Sequence, residues 1–74
     1  MVDVRLVFKT ALEHNAVSVI LVHNHPSGVL KASEADKQIT RQLKAAGHAL
    51  DVKVLDHVII TEKSYLSFTD EGIL

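Results

Sequence analysis

Residues 17–24, Val-Ser-Val-Ile-Leu-Val-His-Asn, most limit how this chain can fold. β-Branched residues dominate the segment and favour a strand. The apolar run from Val17 to Val22 is broken only by Ser18, which is too continuous for a strand with one wet face. It predicts a centrally placed strand covered on both faces. Pro26 has no N–H to offer a neighbouring strand, so pairing must end there. Ser27-Gly28 then supports a turn.

The flanking segments read as helices and strands around it. Val4, Val7, Phe8, Ala11 and Leu12 recur at three- and four-residue spacings, predicting a helix over residues 3–14. Asp3 can cap its start, and His14-Asn15 can stop it, since Asn tolerates the left-handed conformation. A second helix is expected over residues 34–46, with Ser33 as N-cap and Asp36 at capping-box spacing. Ile39, Leu43 and Ala46 form its apolar stripe, Lys37, Arg41 and Lys44 a solvated basic one, and Gly47 suits its stop. Residues 52–61 read as a strand, residues 62–64 as a turn, and residues 65–68 as a short antiparallel partner. The order helix, strand, helix, strand, strand predicts an α/β unit of two or three layers.

A length of 74 residues allows one small domain with a modest core. The apolar share of 47% suits a folded globule. With no cysteine in the chain, disulfides and thiolate–metal sites are excluded, and a cytoplasmic setting is expected. Eight basic and nine acidic residues give a formal charge of −1, so nucleic acid is not an expected partner. The longest apolar run falls far short of a membrane span, and the N-terminal residues hold no signal-peptide core.

The strand's end carries the chemistry. His23 and His25 stand at i and i+2, so their rings leave the same face, roughly 6.6–6.8 Å apart along an extended chain. One divalent ion fits between two such imidazoles, and Asp36, in the first turn of the next helix, can close a third position. Two histidines and a carboxylate, with a position left for water, are the donor set of a catalytic zinc site. The competing reading of His23 and His25 is a hydrogen-bonded structural pair, and that of Ser33 and Asp36 is a plain helix cap. Asp36 cannot give the same lone pairs to a metal and to amides. Asp56-His57 reads as a buried polar pair that orients the sheet or the surroundings of the site. A contiguous His-Asn-His does not fit the dispersed HNH nuclease motif. A non-haem iron triad usually sits on a β-barrel, for which the chain has too few strands.

His23-x-His25-Pro26, six residues, then Ser33-x-x-Asp36 resembles the signature of the JAMM metalloproteases (MPN domain). The longer His23-Asn24-His25-Pro26-Ser27-Gly28, with Leu55-Asp56-His57-Val58-Ile59-Ile60 and Ser67-Phe68 before Gly72, is similar to the bacterial RadC branch of that family. Val4 stands where that branch often has proline. The resemblance implies a sandwich like that of cytidine deaminase, with His23, His25 and Asp36 as Zn2+ ligands. Ser33 would hydrogen-bond the oxyanion or the bound water during hydrolysis of a peptide or isopeptide bond. The family's general base is a glutamate on a strand before the first helix, and none of Glu13, Glu34, Glu62 or Glu71 holds that position. The chain is therefore expected to be the C-terminal part of such a domain, residues 1–74, without the N-terminal strands. Loss of a general base typically costs about 10² to 10⁴-fold in rate. The alternative is a non-catalytic metal-binding or interaction module, with an open sheet edge that invites a partner strand or self-association. The RadC family's traditional DNA-repair label finds no physical support in these residues.

Overall fold

The computed structural model describes residues 2–74. The elements follow the expected order: α1 (Val4–Glu13), β1 (Ser18–Asn24), α2 (Glu34–Leu50), β2 (Lys53–Ile60) and β3 (Tyr65–Ser67). Asp3 caps α1 by accepting the Arg5 amide at 2.9 Å. The helix ends at left-handed Asn15, φ 52°, in a Schellman turn: the Asn15 amide bonds Leu12 O, and the Ala16 amide bonds Ala11 O. Phe8 and Ala11 are buried, whereas Leu12 is 51% exposed. At about 100° per residue Leu12 lies about 105° round the helix from the centre of the Val4, Val7 and Ala11 stripe.

Ser33 and Asp36 close a reciprocal capping box at the start of α2. The helix then passes through Gly47, where the sequence predicts its end, and stops at Asp51, φ 57°. Gly47 serves a different purpose. The Val52 amide turns back to bond Gly47 O at 2.8 Å, and a Cβ on Gly47 would overlap the Val52 carbonyl. Close approach of two backbones requires glycine here, and a side chain that tolerates the left-handed region makes the stop.

The sheet order is β1-β2-β3, with β1 parallel to β2 and β3 antiparallel to β2. A parallel pair needs a crossover, which α2 supplies. Opposite Val19/Ile20 the register skips Leu55, a bulge that lets Val52 and Val54 on one side and His57 and Ile59 on the other all point inward. Both helices pack on this inner face, around Phe8, Ala11, Leu43, Val52 and Val54. Ile59, Phe68 and Ala32 extend the core toward the β1–α2 loop. The result is a mixed α/β fold in two layers, consistent with a truncated sandwich of the expected kind.

One expectation needs correction. β1 is an edge strand covered on one face, not a central strand covered on two. Val19, Leu21 and His23 are part-buried, while Ile20 and Val22 are 58% and 64% exposed. Apolar residues on both faces of a strand signal two covers, and within the described residues only one is present. Among the described residues no helix is long and apolar enough to cross a membrane.

Candidate metal centre

β1 and α2 meet at their functional ends. His23 is the last inward-facing residue of β1, and His25 lies just beyond it. The strand pairing is carried one step further by the His25 amide, which bonds Ile60 O at 2.9 Å. That bond fixes the backbone of His25 before the chain turns. The turn closes with Gly28 N to His25 O at 3.0 Å, and Gly28 takes φ 80°.

The three expected ligands converge. One donor atom from each of His23, His25 and Asp36 falls within 4.8 Å of the other two, an arrangement that could hold a metal ion. His23 Nδ1 lies 3.4 Å from Asp36 Oδ1, and His25 Nε2 lies 3.6 Å from Asp36 Oδ2. Donors at about 2.0–2.2 Å from zinc stand about 3.3–3.6 Å apart at a tetrahedral angle. The two ring planes are nearly perpendicular, at 85°, with centroids 4.5 Å apart.

The nitrogens are prepared for such a role. His25 Nδ1 lies 3.1 Å from Val29 O. A carbonyl only accepts, so Nδ1 carries a proton, and Nε2 is the nitrogen that faces Asp36. Fixing the ligating nitrogen through a bond at the other one is common in metal sites. His23 Nδ1 is buried and has no hydrogen-bond partner. Its 3.4 Å approach to Asp36 Oδ1 meets the distance for an ion pair without the alignment of a hydrogen bond. A buried nitrogen beside a carboxylate, without a hydrogen-bond partner, fits a cation held between the two.

Asp36 divides its work between its oxygens. Oδ2 accepts the Ser33 amide at 3.1 Å as half of the capping box, and Oδ1 faces His23. A carboxylate has about four lone-pair sites, so the cap and a metal need not compete for the same one. Burial pushes the Asp36 carboxyl up, but the Ser33 amide and hydroxyl and the His23 and His25 charges hold it below the usual carboxylate range. Ser33 Oγ accepts the Asp36 amide at 3.0 Å, and its hydroxyl also supports the Asp36 carboxylate. Ser33 and His25 line one groove of about 590 Å³, together with Lys31 and Lys37. His23 and Asp36 line another of about 550 Å³ on the Val22 and Ile39 side. The larger hollow, about 730 Å³ beside Lys44 and His48, contains none of these residues.

Asp56 and His57 are not a side-chain pair. Asp56 lies on the outer face, where its carboxylate accepts the His57 amide, the Thr69 amide at 3.0 Å and the Ser67 hydroxyl. Burial pushes this carboxyl up too, and those bonds outweigh it, leaving it below the usual range. His57 points inward and is fully buried. Its ring stacks on His23 with centroids 5.8 Å apart, and on Phe68 at 4.6 Å. Burial and the nearby His23 charge depress its pKa, offset in part by Asp36 and Asp56.

Sequence reasoning missed two groups at the centre. Thr40, whose Oγ1 lies 2.7 Å from His57 Nδ1, is legible in hindsight, because it stands four residues after Asp36 on the same helical face. The Val29 carbonyl leaves no sequence signal, since any residue could supply it. No glutamate joins the cluster among the described residues: Glu13 pairs with Lys9, and Glu34 with Lys37.

A two-layer α/β domain that gathers two imidazoles, one of them held through its far nitrogen, and a cap carboxylate where a strand meets a helix belongs to the class of potential metal-binding domains. A family model described as RadC-like JAB domain matches residues 1–73, and the chain belongs to that family. It is 66% identical over 73 residues to a UPF0758 protein of Flavobacterium johnsoniae, covering 99% of this chain and 32% of that protein. A UPF0758 protein of Thermotoga maritima is 49% identical over 74 residues, covering 100% of this chain and 33% of that one. One from Chlorobaculum tepidum is 47% identical, with the same coverage of 100% and 33%. The chain thus spans about a third of the length of the curated relatives it matches.

Proposed function

We propose that this chain is the metal-holding part of a JAMM-type hydrolase domain, with His23, His25 and Asp36 as ligands of a zinc ion and a peptide or isopeptide bond as substrate. The observation that carries the reading is the approach of His23 Nδ1 and His25 Nε2 to the two oxygens of Asp36, with His23 Nδ1 buried and without a hydrogen-bond partner. When bound, zinc activates water and polarises an amide carbonyl. The chain's own residues supply the rest. The Val29 carbonyl holds the His25 tautomer. Ser33, anchored by its cap, offers a hydroxyl proton to an oxyanion or to water. The groove between His25 and Ser33 gives an extended peptide a path across the site. An all His/Asp donor set needs no thiolate, which suits the cytoplasm we propose as its setting.

The reading assigns little turnover to these residues alone, because no described glutamate reaches the cluster. The test is zinc content and affinity of the purified chain, with His23→Ala and His25→Ala as controls. About one equivalent of zinc, lost in both variants, is expected. A folded chain that binds no zinc tightly would overturn the reading.

The open edge of β1 favours a second role, self-association. Among the described residues β1 pairs with β2 alone, and Ile20 and Val22 lie exposed beside that edge. Two copies meeting edge to edge about a two-fold axis would continue the sheet. Sedimentation should show a dimer that Val22→Lys dissociates; a monomer at high concentration would rule this role out.

A further inference from the structure

Beneath the metal centre lies a group that the proposed chemistry does not use. Two side-chain polar atoms among the described residues are buried without a hydrogen-bond partner: His23 Nδ1 and His57 Nε2. Their rings stack, with planes 28° apart. The first orphan faces Asp36 and would be answered by the proposed zinc ion. The second belongs to a fully buried residue on the middle strand, outside the ligand cluster.

The protons around His57 can be assigned. Thr40 Oγ1 lies 2.7 Å from Asp36 O and 2.7 Å from His57 Nδ1. The Asp36 carbonyl only accepts, so the single hydroxyl proton of Thr40 goes to it. His57 Nδ1 must then carry a proton and donate it to Thr40 Oγ1. Nε2 is left with a lone pair and no donor. Packing alone does not explain an imidazole here, since an apolar ring would fill the space without an unsatisfied nitrogen. The Nδ1–H bond is what an apolar ring would lack.

That bond has a particular place in the fold. The ligands come from two bodies, the end of β1 and the first turn of α2. Among the described residues the His57–Thr40 bond is the hydrogen bond by which an α2 side chain is tied to the sheet. It joins β2 to α2 one turn beyond Asp36, and the same ring supports His23 from below. One imidazole therefore touches the element that carries each kind of ligand.

Resting on the zinc reading above, we infer that His57 is a positioning residue: as the Nδ1–H tautomer it locks α2 to the sheet through Thr40 and sets Asp36 against His23. It is not a ligand and touches no substrate.

The experiment combines two readouts on the full chain. Long-range ¹H–¹⁵N correlation of labelled histidine reads the His57 tautomer without metal, and chelator competition reads zinc affinity. The expected spectrum has the proton on Nδ1. His57→Phe and Thr40→Val should each weaken zinc binding about 10- to 100-fold, the usual effect of losing such a supporting partner. The double variant should be little worse than either single one, because both remove one bond. His57→Asn, which keeps an N–H donor near Nδ1, should recover most of the affinity. Thr40→Val keeps the side-chain shape, so it decides the matter if His57→Phe fails to fold. A proton on Nε2, or wild-type zinc affinity in Thr40→Val, would overturn the inference. If the wild type binds no zinc, the proposed function fails by itself. The metal-free spectrum then still decides whether His57 is the anchor.

Discussion

Asp36→Asn separates the two tasks that the structure gives to one carboxylate. The amide oxygen of Asn can still accept the Ser33 amide, so the capping box survives. What is lost without metal is a negative charge in the first turn of α2, worth about 0.3–1 kcal/mol. The metal-free variant should therefore melt within a few degrees of the wild type. With zinc the two should part. Free zinc at about 100 times Kd stabilises a one-site protein by about 2.7 kcal/mol. For a domain of this size 1 kcal/mol moves Tm by about 4–8 °C, so zinc should raise the wild-type Tm by about 10–20 °C. Asn offers no anionic ligand, and the rise should vanish at the same zinc concentration. Thermal unfolding followed by circular dichroism, with zinc and with a chelator, reads both quantities. A zinc-induced rise as large in Asp36→Asn as in the wild type would remove Asp36 from the ligand set. A loss above about 2 kcal/mol without metal would mean that the negative charge of Asp36 supports the metal-free fold by more than its place in the first turn of α2.

Three further outcomes follow from the same geometry. Gly47→Ala gains about 1 kcal/mol of helix propensity but drives a Cβ into the Val52 carbonyl. Overpacking of about 1–3 kcal/mol should give a net loss in urea unfolding, and a more stable variant would show that the turn into β2 moves freely. In the metal-free chain His57 is held below its ordinary 6.5, so the unfolded state takes up a proton that the folded state refuses. Stability should fall by up to about 1.4 kcal/mol per unit as pH drops below that value, until the folded ring itself protonates. Asp36 and Asp56, held below 3.8, add their own loss only under that pH. His57→Phe should flatten the first window and leave the second, and an unchanged profile between them would refute the assignment. Asp56→Ala strips three donors of their acceptor and should cost about 2–3 kcal/mol. Because Asp56 lies on the outer face, zinc affinity should stay within a few-fold of wild type; a large fall would place it in the metal centre.

Much of this arrangement is legible in the sequence because its signals are local. Asp3, Asn15 and Ser33 cap where short-range hydrogen bonding says they should, and Pro26 ends β1 as a missing donor requires. His23, His25 and Asp36 meet because strand and helix periodicities fix where their side chains leave the backbone. The misreadings concern what comes from elsewhere in the chain. Gly47 looks like a helix stop until Val52 is seen folding back on it. Asp56 and His57 look like a pair until the alternation of the strand sends them to opposite faces. The bulge at Leu55, which turns His57 inward after Val54, depends on the partner strand and leaves no periodic trace. β1 looks doubly covered because its own composition is suited to two covers, whereas burial depends on which other segments are there.

The division between the two halves of the site follows from this. A metal needs donors, and the donors here lie within fourteen residues, set by one strand end and one helix cap. Proton transfer in the proposed hydrolysis would need a further acid–base group, and among the described residues no glutamate joins the cluster. The unpaired edge of β1 and its exposed Val22 lie beside His23, so a strand added to that edge would bring its side chains next to the cluster. Metal binding and strand addition should therefore be separable. His23→Ala should abolish zinc binding without affecting self-association, and Val22→Lys should block association while leaving zinc affinity intact. If either change abolished both properties, the edge and the centre would be one cooperative unit, and the metal would be holding β1 in the form that presents its edge.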